Sequence, residues 1–411
     1  MKNFLSGFPT FEIIRKKMQG LSFPDYREAN GHIHTPYSFS AFSDMGTIFT
    51  MAEKEKISVL GINDFYVTDG YDSFHKGCLQ NNIFPLFNIE FIGLLKEEQQ
   101  KGIRINDPNN PGRIYFSGKG LDYPFHTGFL LRKQLKSVIK ESQIQIRAMI
   151  SKLNRLIEKE NPSLRLSYET IKKEFAHDLV RERHLAKALR VLILKNISTS
   201  EEQMRFLEAL YGGKKSKTGF SDTAALENEI RSNLLKSGGA AFVEENESSF
   251  LDLKKIINII VKAGGIPCYP VLLDDPSGKL TEFEADPEKL HDSLFKLGIE
   301  CIELIPGRND FRILKNFVEF FHNKGFIITF GTEHNTPEMI PLTVTTRNSA
   351  ALDDSLKKIA WEGACIIAAH QYLRADGRQG YVLPDGTHSV NQMRELINLG
   401  QLVIEYFLNN R

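Results

Sequence analysis

Residues 31–40 read GHIHTPYSFS and place two histidines, His32 and His34, one residue apart. On an extended segment, residues i and i+2 face the same side, so both imidazoles can reach one cation. With 11 histidines in 411 residues, about 0.3 such pairs arise by chance. The pair gains weight from its company. Further imidazole, carboxylate and phenol groups fall at the ends of separate expected strands: Asp64, Glu90, His126, Tyr269, Glu303, and Glu333 beside His334. A mixed set of two histidines and carboxylates suits Zn²⁺, Mn²⁺ or Fe²⁺, and an ion of that kind supplies hydroxide from bound water near neutral pH. Glu303, in IECIELIPG, is read as a group that caps or pairs with a nearby base, not as a catalytic residue.

Such groups need a scaffold that delivers them to one place. Four segments run from a helix-like stretch through a Gly or charged stop into a short apolar, β-branched run, at 51–64, 260–271, 294–305 and 320–333. Gly264, Gly298 and Gly325 stand where a helix ends in the left-handed conformation that glycine adopts cheaply. Two more strands are expected at 82–91 and 123–131, and with the strand entering His32 the count is about seven. Continuous apolar strands alternating with helices predict a parallel α/β sheet closed into a TIM-like barrel, whose strand bodies are packed and whose C-terminal ends carry chemistry.

The barrel is expected in two parts, 31–131 and 253–345, after an N-terminal helical segment (1–30). A helical insertion over 132–252 separates them; within it Ser200 and Gln203 match a capping box and Gly212 and Gly213 end the helix. GGKKSKTGFSD (212–222) reads as a surface loop. A C-terminal helical extension (346–411) should hold helices near 351–373 and 389–408.

Charge is balanced, with 52 Lys plus Arg against 51 Asp plus Glu, which argues against a nucleic-acid or anionic-membrane partner. Four scattered cysteines with no CxxC pair read as reduced thiols, and no apolar run approaches ~18 residues. A cytoplasmic protein is expected, and the sequence carries no signal of oligomeric state.

GHIHTPYSFS, followed by VLGINDF and FPLFNIEF, resembles the opening of the PHP (polymerase and histidinol phosphatase) family, D-x-H-x-H-T-x-x-S, then A-I-T-D-H, then G-x-E. LVRERHLAKAL resembles that family's R-x-H-x-A-x-x-L, GGIPCYPV its G-G-x-x-x-A-H-P, and FGTEHN its G-S-D-x-H, so the likeness runs from about residue 30 to 335. It implies a distorted seven-stranded barrel of PHP type that hydrolyses phosphoesters with up to three divalent ions. By position it implies His32, His34, Glu90 and His126 as metal ligands, with Glu333 in the place of the late aspartate and His334 displaced by one residue. It also implies roles near the reaction for Asp64, as a group orienting a ligand histidine, and for Arg181, Arg183 and His184, as phosphate-holding groups. Tyr269 stands in the place of the A-H-P histidine, packing at the barrel mouth in preference to meeting substrate; His126 at a strand end reads more readily as a hydrogen-bonded core histidine than as a ligand, and VRERHLAK reads equally as an ordinary amphipathic helix.

The chain departs from the pattern at Phe65, Tyr269 and Phe39, which replace ligands, unless Asp44 takes the last role. A phenyl ring donates no lone pair, and a phenol with a pKa near ~10 is a poor ligand. One ordinary metal position, His32, His34, Glu90 and Glu333, is therefore expected, with a weak second at most. Two function classes follow from the resemblance: a metal-dependent phosphoesterase acting on a small phosphorylated metabolite or nucleotide, and a PHP-like module that binds or scaffolds without turnover.

Overall fold

The structure is a computed structural model describing residues 4–177, 179–275, 277–388 and 393–409. Seven strands form one sheet in chain order: β1 (Ala29–Ile33), β2 (Val59–Phe65), β3 (Phe84–Leu94), β4 (Arg113–Lys119), β5 (Ile266–Val271), β6 (Cys301–Leu304) and β7 (Ile327–Phe330). All neighbours are parallel except β4, which runs antiparallel to both β3 and β5. A parallel bridge from Ile33 to Glu333 brings the end of the last strand onto the first and nearly closes the barrel.

The helices are α1 (Phe11–Met18), α2 (Met45–Lys54), α3 (Tyr71–Gln80), α4 (Lys96–Gln100), α5 (Phe129–Glu160), α6 (Tyr168–Phe175), α7 (Glu182–Asn196), α8 (Ser200–Leu210), α9 (Thr223–Ile230), α10 (Leu253–Lys262), α11 (Pro287–Lys296), α12 (Phe311–Asn323), α13 (Asp354–Ala375) and α14 (Met393–Asn409). Asp44, Asp252, Asp286, Asp310 and Asp353 each accept a first-turn backbone N–H, which satisfies donors the helix itself leaves orphaned. Asp44 is thus a helix cap. Gly264, Gly298 and Gly325 have φ of +76°, +69° and +85°, as a glycine past a helix end should.

Two local expectations need correction. The segment 123–131 is not a strand: residues 121–128 form a loop, and the missing strand is β4, ten residues earlier, hidden behind the turn-rich KGIRINDPNNPG. The cap of α8 is Thr199, whose hydroxyl accepts the Glu202 N–H at 3.3 Å while donating to the Glu202 carboxylate at 2.7 Å, so the capping box lies one residue before Ser200. The helix expected over 389–408 runs Met393–Asn409; residues 389–392 lie outside the described ones.

Both ends of the barrel are covered. Val59, Phe84, Ile266, Cys301 and Ile327, each the first residue of its strand, cluster with Trp361, Cys365, Ala368, Val403 and Phe407 of α13 and α14. Helices α5 to α9 lie between β4 and β5 and carry their own core, including Leu153, Leu189, Leu207 and Ile230. The barrel interior above the base is polar, with Asn63, Asn88, Ser117, Lys119 and Glu303 all buried where apolar packing was expected. Among the described residues no helix is long and apolar enough to cross a membrane.

Candidate metal centre

His32 and His34 leave the end of β1 on the same side, their Nε2 atoms 3.2 Å apart. Glu90 arrives from β3, where it is in register with Phe65 of β2 and Ser117 of β4. Its Oε2 lies 3.1 Å from His34 Nε2 and 3.9 Å from His32 Nε2. Among the described residues, these three form the one group whose ligand atoms all fall within 4.8 Å of one another. All three are buried.

The carboxylate and hydroxyl partners of Nδ1 favour a proton on that nitrogen of each ring, and the Asn63 amide nitrogen lies 3.1 Å from His32 Nδ1 and 3.0 Å from its Nε2. Ser38 Oγ donates to Asp64 Oδ1 at 2.7 Å and so accepts from His34 Nδ1 at 3.2 Å. Asp64 is saturated by donors, taking the Thr35 N–H at 2.7 Å and the Thr35 hydroxyl at 2.5 Å as well. His32 Nδ1 lies 2.9 Å from Glu303 Oε2, a carboxylate that accepts only. Each ring therefore turns the lone pair of its Nε2 toward the other and toward Glu90. With Glu90 ionised, three electron-rich atoms converge and repel, relieved on the His32 side by the Asn63 amide 3.0 Å from Nε2, while Glu90 Oε2 has no hydrogen-bond partner although buried. A divalent ion bound at about 2.1 Å in tetrahedral geometry separates its ligands by about 3.4 Å, close to the spacings found here. The residues fit such an ion.

Electrostatics agrees. Burial pushes the Glu90 carboxyl up to about 8, and the nearby Glu333 and Glu303 add to this against His32. Burial holds the His34 imidazole down at about 4, keeping it in the neutral form that binds metals. Burial also raises Asp64, against the opposing pull of His34 and its hydroxyl donors. Glu303 moves the other way: burial alone would raise it, but Lys119 and His32 hold its carboxyl well below the usual range.

Above the cluster opens a cavity of about 660 Å³, walled by the strand ends on one side and by α5, the start of α7 and residues 231–245 on the other. The Phe65 ring stacks on His34, with centroids 4.8 Å apart, and the Arg181 guanidinium lies over Phe65 at 4.9 Å. Among the described residues no carboxylate pairs with Arg181. Arg183 lies over Phe39 at 5.5 Å and donates to Asn228 Oδ1 at 3.3 Å. Burial and the neighbouring Arg231 bring its guanidinium down to about 10, against the pull of Glu182, Glu333 and Glu338.

The other expected site residues lie elsewhere. His126 is exposed in the 121–128 loop, because the strand that should have carried it inward does not exist. His334 points away: Glu333 and His334 both have positive φ, +66° and +56°, and this turn directs the His334 ring to Thr332 Oγ1 and Ile340 O, each at 2.8 Å. Glu333 lines the cavity but is engaged by Arg308 and is not one of the converging three. His184 is buried at the start of α7, where its Nδ1 accepts the Arg181 backbone N–H at 2.9 Å, so it serves as a helix cap away from the cavity lining. Tyr269 donates to the buried Glu284 at 2.8 Å and does not line the cavity. Lys119, Ser117 and Asn63, which crowd beneath His32, were not foreseen; the alternation of RIYFSGK, with its lysine on the Ser117 face, was the available signal.

No family model matches this chain, and no curated protein matches it in sequence. Solved structures do match. A candidate metal-dependent phosphoesterase from Bifidobacterium adolescentis superposes with a TM-score of 0.53 at 12% identity, covering 81% of this chain and 95% of that one. An amidohydrolase from Chromobacterium violaceum, solved with bound sulfate and no metal, gives 0.51 at 15% identity, covering 81% and 96%. The α/β barrel is thus a fold shared with these proteins.

Proposed function

We propose that this chain is a metal-dependent hydrolase of the PHP type, a phosphoesterase acting on a small phosphorylated metabolite or nucleotide. Its single divalent ion, Zn²⁺, Mn²⁺ or Fe²⁺, is held by His32, His34 and Glu90. The observation that carries the reading is the convergence of three lone pairs, one on an orphaned buried carboxylate oxygen, directly beneath an arginine-bearing wall. When bound, such an ion polarises a phosphoryl oxygen and lowers the pKa of its water.

The protein's own groups do the rest. Asp64 and Ser38 hold His34 in the ligand tautomer. Arg181 and Arg183 present guanidinium forks to phosphoryl oxygens, with Phe65 and Phe39 supporting their planes and excluding water. No lone pair is offered for a second ion at Phe65, and Tyr269 is committed to Glu284. A cytoplasmic setting is in keeping with four buried, unpaired cysteines. Elemental analysis of protein purified without chelator should find about one transition metal per chain, and a generic phosphatase assay with added Mn²⁺ should show turnover. His32→Ala should abolish both. Absence of metal and turnover in the wild type would instead support the second reading, a PHP-like binding module, which the engagement of Glu333 by Arg308 favours.

A further inference from the structure

Beneath the cluster lies a charged pair that the proposed chemistry does not use. The antiparallel course of β4 turns Ser117 and Lys119 into the barrel, opposite Glu303 of β6. The Lys119 ammonium lies 2.5 Å from Glu303 Oε2, and the Ser117 hydroxyl donates to Glu303 Oε1 at 2.5 Å. Glu303 Oε2 also meets His32 Nδ1 at 2.9 Å. Lys119 has one other polar contact, Asn63 Oδ1 at 3.4 Å, and its side chain is 0% exposed. Sealing an ammonium and a carboxylate from water is costly, and apolar residues of the same volume commonly serve stability as well or better. Stability alone therefore gives no reason for this pair.

Resting on the metal reading above, we infer that Glu303 and Lys119 act together as positioning residues that set His32 for metal binding. A carboxylate against Nδ1 can only accept, so it keeps the proton on Nδ1 and the lone pair on Nε2, facing Glu90 and His34. Lys119 cancels the charge of that carboxylate. The pair thus supplies the directionality of a carboxylate without adding net negative charge beside an ion that must attract an anionic phosphoester. Glu90 is then the one uncompensated anion among the groups that touch the ion.

The test needs no turnover. Long-range ¹⁵N–¹H spectra of histidine-labelled, metal-free protein report the tautomer of His32, and competition with a chromophoric chelator reports Co²⁺ affinity. Both are measured for wild type, Glu303→Gln, Lys119→Met and the double variant. Wild type should show the Nδ1–H form. Glu303→Gln should lose that pure tautomer, since an amide offers both donor and acceptor, and should weaken Co²⁺ about 10- to 100-fold. The double variant should bind no more weakly than Glu303→Gln alone, because Lys119 acts through Glu303; it also carries the test if Lys119→Met fails to fold. Unchanged tautomer and affinity in Glu303→Gln would overturn the inference. A wild type that binds no Co²⁺ would sink the metal reading instead, while the tautomer would still decide the role of Glu303.

Discussion

Glu90 is the residue at which the cost of the site is concentrated. Its Oε2 is buried without a donor, 3.1 Å from a ring nitrogen that offers only a lone pair. Without a cation this oxygen must take up a proton or suffer repulsion, which is why burial drives its carboxyl up to about 8. Glu90→Gln replaces the problem with an amide that can donate to either ring. Above about pH 8, where the wild-type carboxyl is ionised, the metal-free variant should therefore be more stable than metal-free wild type by roughly 1 kcal/mol, the worth of one hydrogen bond. Mn²⁺ at a hundredfold its Kd should stabilise wild type by about 2.7 kcal/mol and leave the variant unmoved. Thermal melts with and without Mn²⁺ check both, and a variant still stabilised by the ion would remove Glu90 from the ligand set.

At the scale of elements, the site is a meeting of the end of β2 with the start of α7. Phe65 sits between them, stacked on His34 below and under Arg181 above. The face of an aromatic ring attracts a guanidinium by about 0.5–2 kcal/mol and limits where it can swing. Phe65→Ala should therefore raise KM for a phosphoester about 2- to 30-fold while leaving metal content at the wild-type level. A fall in metal content with unchanged KM would show that the ring serves His34 alone. These elements were legible in different degrees. The i, i+2 spacing of His32 and His34 and the glycines closing α10, α11 and α12 are local devices, so the bare sequence displays them. β4 was missed because its strand pattern is short and follows a turn-rich segment, and the error carried His126 with it. Glu303 was read as the partner of a base, but Lys119 lies 184 residues away in sequence, and no spacing rule reaches that far. The direction of His334 depends on two successive left-handed residues that its composition does not announce.

The whole molecule is a barrel closed at its base by α13 and α14 and roofed by the insertion, and each closure depends on contacts that tolerate little change. At Gly363 of α13 an added Cβ would stand 1.9 Å from the Ile328 carbonyl of β7, backbone against backbone, so Gly363→Ala should cost about 3 kcal/mol with metal affinity unaltered. Urea midpoints and chelator competition together check that separation of stability from function. The two closures also share a dependence on pH. His370 of α13 accepts the Tyr381 N–H on Nδ1 at 2.9 Å, as His184 of the insertion does from Arg181. Burial, aided by the Lys187 charge, holds His184 at about 3, and burial holds His370 at about 4 against the hydrogen bond of its Nε2 to the Gly264 carbonyl. Each ring stays neutral when folded and takes up a proton when unfolded below about 6.5, so its stabilisation is complete above that pH and is lost as pH falls toward 4. The slope is at most about 1.4 kcal/mol per pH unit for each ring. Two rings over two units amount to about 5 kcal/mol by pH ~4.5, on the scale of a typical domain's entire stability. His184→Asn offers its side-chain oxygen to the same N–H but does not titrate. It should remove about half of the loss between pH 6.5 and 4.5 in urea midpoints while leaving phosphatase activity at pH 7.5 intact. An unchanged acid slope would mean that His184 is already protonated in the folded chain, and lost activity with normal stability would return the ring to the reaction.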